Sequence, residues 1–441
     1  MREKDLRKIA LESGKTVSRK ARSKESTPPI SRGSSAQPSP RGSRIASRQG
    51  SDDESELSDT TEWSTNSIDA LVAPSELDDG PGDAWAAELE DCINTLIDRK
   101  RTSTEGREQY LSRFNLILTR HYAQEELKSK IDDIVPILLK SVKSGQSERE
   151  VILALKGLAL IIITEPSETV YDTVQGIFKS TINDSQHGPA KVAAIHALSI
   201  ATFYGGATVE ETEEVMQFFL EIASSDGAVV EAEDDAEVVV ASLGEWGLLA
   251  TQLDDMEDAT EEAMDTFVDQ LESSDVGVQI AAGDNIALLY EKSFTEAESD
   301  DEPADSDDED RARGPRMIKR YTVYRQEHLL QQRLEKLAKG HSKRVSKQDR
   351  KNLHIEFKDI LNTVEKPTRG PRYSTALDEE GREYGSRMKV TIHGGGKMSI
   401  DKWWKLHRLS ALKRLLQSGF MVHYEHNQVV FDSLPVIVED N

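Results

Sequence analysis

Val151-Ile152-Leu153-Ala154-Leu155-Lys156-Gly157-Leu158-Ala159-Leu160-Ile161-Ile162-Ile163 is the stretch on which the fold turns. Ser147 precedes it, with Glu150 three residues on, which is the pattern of a capping box opening a helix. The same kind of neighbourhood returns along the chain. Placing Tyr110, Ile152, Val192, Val239 and Ile280 in register gives spacings of 42, 40, 47 and 41, each surrounded by apolar residues at helical period. Ser112, Ala154, Ala194, Ala241 and Ala282 fall two residues later, and Asn115, Gly157, Ala197, Gly244 and Asn285 three further on. Small residues thus recur where helices would touch closely. A period of this length with two helical stretches per unit predicts an armadillo/HEAT-like α-solenoid, in which each unit buries its apolar stripe only against its neighbours.

Turn chemistry punctuates the repeat. Lys143-Ser144-Gly145-Gln146-Ser147, Ser185-Gln186-His187-Gly188-Pro189 and Tyr204-Gly205-Gly206 interrupt the periodicity. Pro136 sits inside Ile131 to Val142, where it should end, start or kink a helix, because it lacks an N–H. Helix pairs are therefore expected over 84–293.

Charge divides the rest. Val192 to Glu291 contains no Lys or Arg but 24 Asp and Glu, whereas Arg311 to Phe420 carries 27 Lys and Arg against 11 acids. The first segment repels phosphate backbones and suits basic protein surfaces; the second is drawn to nucleic acid or other polyanions. Residues 1–83 read as a disordered tail: Met1 to Gly50 holds 13 bases and 4 acids among Ser, Pro and Gly, and Ser51 to Glu90 reverses to 13 acids and no base. Arg19 to Lys24 has the composition of an import signal, but short basic runs are common in such tails. Residues 294–315 read as a solvated acidic linker, in which Ser299 and Ser306 are candidate phosphate acceptors.

Residues 316–434 form the predicted small α+β C-terminal module, and 435–441 a short acidic tail. Its expected elements are a basic helix from Met317 to Leu337 stopped by Gly340, a second helix from Ser346 to Val364, and a hairpin of Met388 to Ile392 with Met398 to Ile400. A last helix is expected from an Asp401 N-cap to Gln417, closed by Gly419. On that helix Trp404 falls in the apolar arc and Trp403 in the polar one beside Lys402, Lys413 and Arg414. Two placements of Trp403 are open: stacked on a nucleic-acid base, or packed against the hairpin. Lys336, Lys339, Lys343, Arg344, Lys347, Arg350 and Lys351 make a dense patch for phosphate contact, with neutralisation of the acidic linker as its competing use.

No catalytic signature occurs, whether nucleophile elbow, Walker loop, dinucleotide fingerprint or His-Glu-x-x-His motif. Gly394-Gly395-Gly396-Lys397 lacks the spacing of a phosphate loop and reads as a turn. His423 and His426 have metal-compatible spacing but no third ligand, and the single cysteine, Cys92, excludes a thiolate cluster and an internal disulfide. The apolar runs fall short of the roughly 20 residues of a membrane span and no secretory signal leads the chain. A non-enzymatic binder is therefore expected, in cytoplasm and also nucleus, with no cofactor, metal, membrane or small-molecule substrate.

Three segments carry a family resemblance. Val276 to Glu291 (VGVQIAAGDNIALLYE), Lys347 to Glu365 (KQDRKNLHIEFKDILNTVE) and Met398 through Gly419, with its Ile-Asp-x-Trp helix start, resemble the interferon-related developmental regulators. The resemblance spans Ala84 to Leu434 and implies an armadillo-like fold without catalysis. It also implies two roles: association with translationally inactive ribosomes, and transcriptional co-regulation through deacetylase-containing chromatin complexes. On the first, Lys343, Arg344, Lys347, Arg350, Lys351, Lys402, Trp403 and Arg414 would meet ribosomal RNA, while an acidic surface including Glu233, Asp234, Asp235, Asp254 and Asp255 would engage basic ribosomal proteins. The chain departs from the animal pattern in stopping soon after Leu434, where animal relatives continue into a basic tail.

Overall fold

The computed structural model describes residues 84–98, 102–297, 317–339, 347–373, 389–391 and 397–435. The tail 1–83, most of the acidic linker with Ser299 and Ser306, Gly340, and the terminal 436–441 lie outside the described residues. The chain is mostly helical. In order it forms α1 (Ala84–Ile97), α2 (Thr104–Arg120), α3 (Gln124–Lys128), α4 (Ile131–Ser144), α5 (Glu148–Thr164), α6 (Glu168–Asp184), α7 (Gly188–Tyr204) and α8 (Val209–Ser224). Then come α9 (Ala236–Ala250), α10 (Glu257–Gln270), α11 (Val276–Lys292), β1 (Phe294–Glu296), β2 (Met317–Lys319), α12 (Glu327–Ala338) and α13 (Lys347–Glu365). The chain continues with β3 (Lys389–Thr391), β4 (Lys397–Ser399), α14 (Trp403–Leu416), α15 (Phe420–His426) and α16 (Gln428–Ser433).

Local chemistry starts the helices where the repeat needs them. Ser103, Ser147, Ser167, Thr208, Asp235 and Asp275 each accept a backbone N–H as N-caps, and Thr208 with Glu211 closes a full capping box. The box expected at Ser147 is half made: its hydroxyl accepts the Glu150 N–H, but the Glu150 carboxylate turns to Arg107 and the Gln146 N–H. Pro136 lies within α4, which runs on through it.

Alternate helices stack into a buried ladder, α2 on α5, α5 on α7, α7 on α9, α9 on α11 and α11 on α13. The remaining helices lie outside it, α4 beside α6 and α8 beside α10. The recurring small residues mark the ladder contacts. Asn115 Nδ2 donates to the Leu153 carbonyl at 2.8 Å and its Oδ1 rests on Gly157; Asn285 repeats the arrangement on the Leu243 carbonyl, also at 2.8 Å, with Oδ1 on Gly247. The contact glycine of α9 is therefore Gly247, whereas a Cβ at Gly244, the position in register, would meet nothing.

The solenoid also runs further than 293. α12 and α13 pair as a further helical hairpin, and α13 sets Phe357 and Ile360 against Gly283 of α11, so the unit expected to open the C-terminal module is the last rung of the ladder. Met317–Lys319, expected as the start of a helix, is a strand antiparallel to Phe294–Glu296. β3 and β4 form the predicted hairpin, with Val390 opposite Met398.

The rest of the C-terminal segment crosses the ladder. α14 packs on α11, α9, α5 and α2, and α15 reaches α2. Leu409, Leu412, Leu416, Phe420 and Val430 join one continuous core with Leu111, Leu158, Leu198, Leu248 and Leu288. Residues 398–434 thus form a strap rather than a separate lobe.

Candidate functional site

The strap holds three of the residues expected to touch RNA, Lys402, Trp403 and Arg414, of which Trp403 and Arg414 are engaged within the fold's own contacts. Trp403 is fully buried; its indole N–H donates to Thr363 Oγ1 at 2.8 Å and its backbone N–H to Glu291 Oε2 at 2.9 Å. It offers no face for base stacking. The expected arc holds along most of α14, where Ala411, Leu412, Leu415 and Leu416 are buried, but at its first turn the two tryptophans exchange places: Trp403 is in the core and Trp404 is the half-buried one, with Arg408 4.8 Å from its ring centre. Asp401 is not the N-cap. Lys402 occupies that position without a side-chain bond, Asp401 pairs with Lys405 at 2.6 Å, and Glu291 of α11 takes both free N–H groups of Trp403 and Trp404. Burial pushes the Glu291 carboxyl up to about 7, against the pull of Lys402 and the two N–H donors.

Arg414 is likewise committed. Its guanidinium binds Glu245, a fully buried carboxylate on α9 that also takes His196 Nδ1 at 2.6 Å. Burial raises the Glu245 carboxyl, but Arg414 and His196 outweigh it and hold the group below the ordinary value. Burial and then Arg414 depress His196, so a neutral imidazole donates to a carboxylate that Arg414 balances. Arg408 donates to the Thr251 carbonyl at 2.8 Å and to its hydroxyl at 2.9 Å. Lys402 is half-buried beside Glu291.

Lys347, Arg350 and Lys351 stand at i, i+3 and i+4 on the first turns of α13, where the helix N-terminus adds positive potential. Lys336 and Lys339 close α12, where Lys339 pairs with Glu335 at 2.8 Å. Lys343 and Arg344 lie outside the described residues. His423 is buried and directs Nε2 to the Leu118 carbonyl at 2.8 Å; no group of three metal-compatible side chains occurs among the described residues.

The predicted acidic surface is split. Glu233, Asp234 and Asp235 precede α9, Asp254 and Asp255 follow it, and a helix of 15 residues holds the two groups about 22 Å apart. Asp235 and Asp255 partly serve as caps, accepting the N–H groups of Glu237 and Val238 and of Glu257. The more continuous acidity, which attention to turns misses, lies on the outer helices: Glu213, Glu214 and Glu221 on α8 and Glu261, Glu262, Asp265 and Asp269 on α10 are all exposed. Helical spacing on two neighbouring outer helices is the signal that finds it. A second cluster joins α11 to α13, where Arg372 meets Glu356 at 2.5 Å and Asp359 at 3.4 Å, and burial pushes Asp359 up to about 7 and Asp284 well above the carboxylate range.

The comparisons agree with this architecture. The interferon-related developmental regulator family model matches residues 49–365, ending at the last residue of α13. An uncharacterised protein of Schizosaccharomyces pombe is 28% identical over 382 residues, covering 85% of this chain and 80% of its own length. Interferon-related developmental regulator 1 of Homo sapiens is 24% identical over 379 residues, 74% of this chain and 75% of that protein. Interferon-related developmental regulator 2 of Mus musculus is 23% identical over 368 residues, 80% and 74%. With well over half its length inside the family model, and a stacked helical ladder that ends where the match ends, the chain belongs to the interferon-related developmental regulator family.

Proposed function

We propose that this chain is a non-enzymatic ribosome-associated factor that binds inactive ribosomes and restrains or stores them. The observation that carries the reading is the segregation of charge on one ladder. Acidic outer helices α8 and α10 face solvent, while Lys336 and Lys339 at the end of α12 and Lys347, Arg350 and Lys351 at the start of α13 lie on the last rung. Rigidly separated poles suit a ribonucleoprotein, which offers phosphate and Lys- or Arg-rich protein side by side. Lys336, Lys339, Lys343, Arg344, Lys347, Arg350 and Lys351 would meet ribosomal RNA by charge and shape, with little sequence preference. Basic ribosomal proteins would meet α8 and α10. Trp403 and Arg414 are left out of the contact, since Trp403 is buried and the Arg414 guanidinium is paired with Glu245.

Sedimentation through sucrose at stepped salt tests this reading. Reversing Lys347, Arg350 and Lys351 to Glu is expected to weaken co-migration with ribosomes strongly, leaving it measurable only at the lowest salt. It should also lower the steepness of the log affinity against log salt plot by about 2 to 3, roughly one for each phosphate no longer neutralised. Unchanged co-migration of that variant, or failure of the native chain to co-migrate at low salt, refutes it.

A further inference from the structure

We propose that residues 398–434 act as a clasp that fixes the curvature of the ladder. In a stack of repeats each unit touches only its neighbours, so small rotations at successive interfaces add up and the array flexes as a spring. The strap removes that freedom, because it is bonded to the C-terminal end of each of the helices α2, α5, α7, α9 and α11.

The bonds reach these five helices in turn. Glu291 in the final turn of α11 accepts the Trp403 N–H at 2.9 Å. The carbonyl of Thr251, which caps α9, accepts from Arg408 at 2.8 Å. Tyr204, the last residue of α7, bonds Ser433 Oγ at 3.0 Å. Ile163 near the end of α5 accepts from Asn427 at 2.7 Å, and Leu118 near the end of α2 accepts from His423 at 2.8 Å. A helix leaves its last carbonyls without partners, and at the ends of α2, α5 and α9 the strap supplies them, while at α7 and α11 it bonds a side chain of the final turn. Asn427 and His423 are fully buried, so water cannot readily replace the bonds. Gly419 lies so close to the Thr119 carbonyl that a Cβ would overlap it. From α2 to α11 the ladder spans about 40 Å, at about 10 Å per packed helix pair. A change of curvature over that distance must shear these contacts together. The clasp would act in the same way whichever partner the protein binds.

Pulsed electron resonance on the full chain tests it, with spin labels at Gln109→Cys on α2 and Asp265→Cys on α10, both exposed, and the buried Cys92 left unlabelled. A narrow distance distribution is expected in the otherwise native chain. Asn427→Ala with His423→Ala, which frees the α5 and α2 ends, should broaden it about twofold with helicity retained in circular dichroism. Ser433→Ala, which removes the α7 bond, should broaden it less. A broad distribution in the native background overturns the clasp, as does an unchanged width in the double variant, whether or not hydrogen exchange in α15 and α16 has risen. Loss of helicity throughout in both variants also overturns it, since the strap would then be inseparable from the core.

Discussion

Replacing Glu291 by Gln should change how stability depends on pH. The carboxylate is buried on α11, where it caps α14 through the N–H groups of Trp403 and Trp404, and burial raises its pKa from an ordinary 4.5 to about 7. An acid whose folded pKa lies above its unfolded value holds its proton more tightly when folded. The stabilising contribution is therefore complete below about 4.5 and lost as pH rises through about 7. A rise of this size corresponds to about 3 kcal/mol in all, of which about 2 kcal/mol falls between about pH 5.5 and about pH 8.5. Glutamine keeps the shape and one acceptor but cannot ionise. Urea unfolding of both proteins across that range should show the difference, variant minus native, moving in favour of Glu291→Gln by about 2 kcal/mol. Taking differences cancels every other titrating group. A constant offset across the range would refute the argument, because it would mean that the carboxylate suffers no desolvation in the folded chain.

Arg414→Ala strands the Glu245 carboxylate in the core and should destabilise by about 3 kcal/mol, the low end for a broken buried pair because Arg414 is partly exposed and His196 can take up a proton. Thermal unfolding reads the loss, and NMR titration should show the His196 pKa rising once Arg414 no longer depresses it. Gly247→Ala puts a methyl against Asn285 and His407 and should cost about 1 to 3 kcal/mol in denaturant unfolding. Gly244→Ala, three residues away on the same helix with open space around it, should instead stabilise by up to about 1 kcal/mol; equal effects at the two sites would refute the contact geometry.

The sequence goes far with the ladder and less far with the strap. The register through Ile152, Val192 and Val239, and the cap at Ser147, depend on residues a few positions apart, so helical period and capping chemistry expose them directly. α13 is legible as a helix within a residue at each end, because Phe357, Ile360 and Val364 form an apolar stripe. That it continues the solenoid is not, since any helix with such a stripe looks alike until its partner is known. Composition alone likewise shows that the chain carries opposite charges in separate segments.

What composition cannot show is how many of those charges are engaged inside. Lys405, Arg408 and Arg414 are ordinary basic residues on a helical wheel, and only their neighbours Asp401, Thr251 and Glu245 take them out of play. Glu291 caps a helix 112 residues away, and Asn427 meets a carbonyl 264 residues away. Helix formation is a matter of short-range hydrogen bonding and periodicity, which are written in consecutive residues. Which faces of those helices stay in water depends on the closure of long loops, and no local pattern records the partner that each buried side chain will meet.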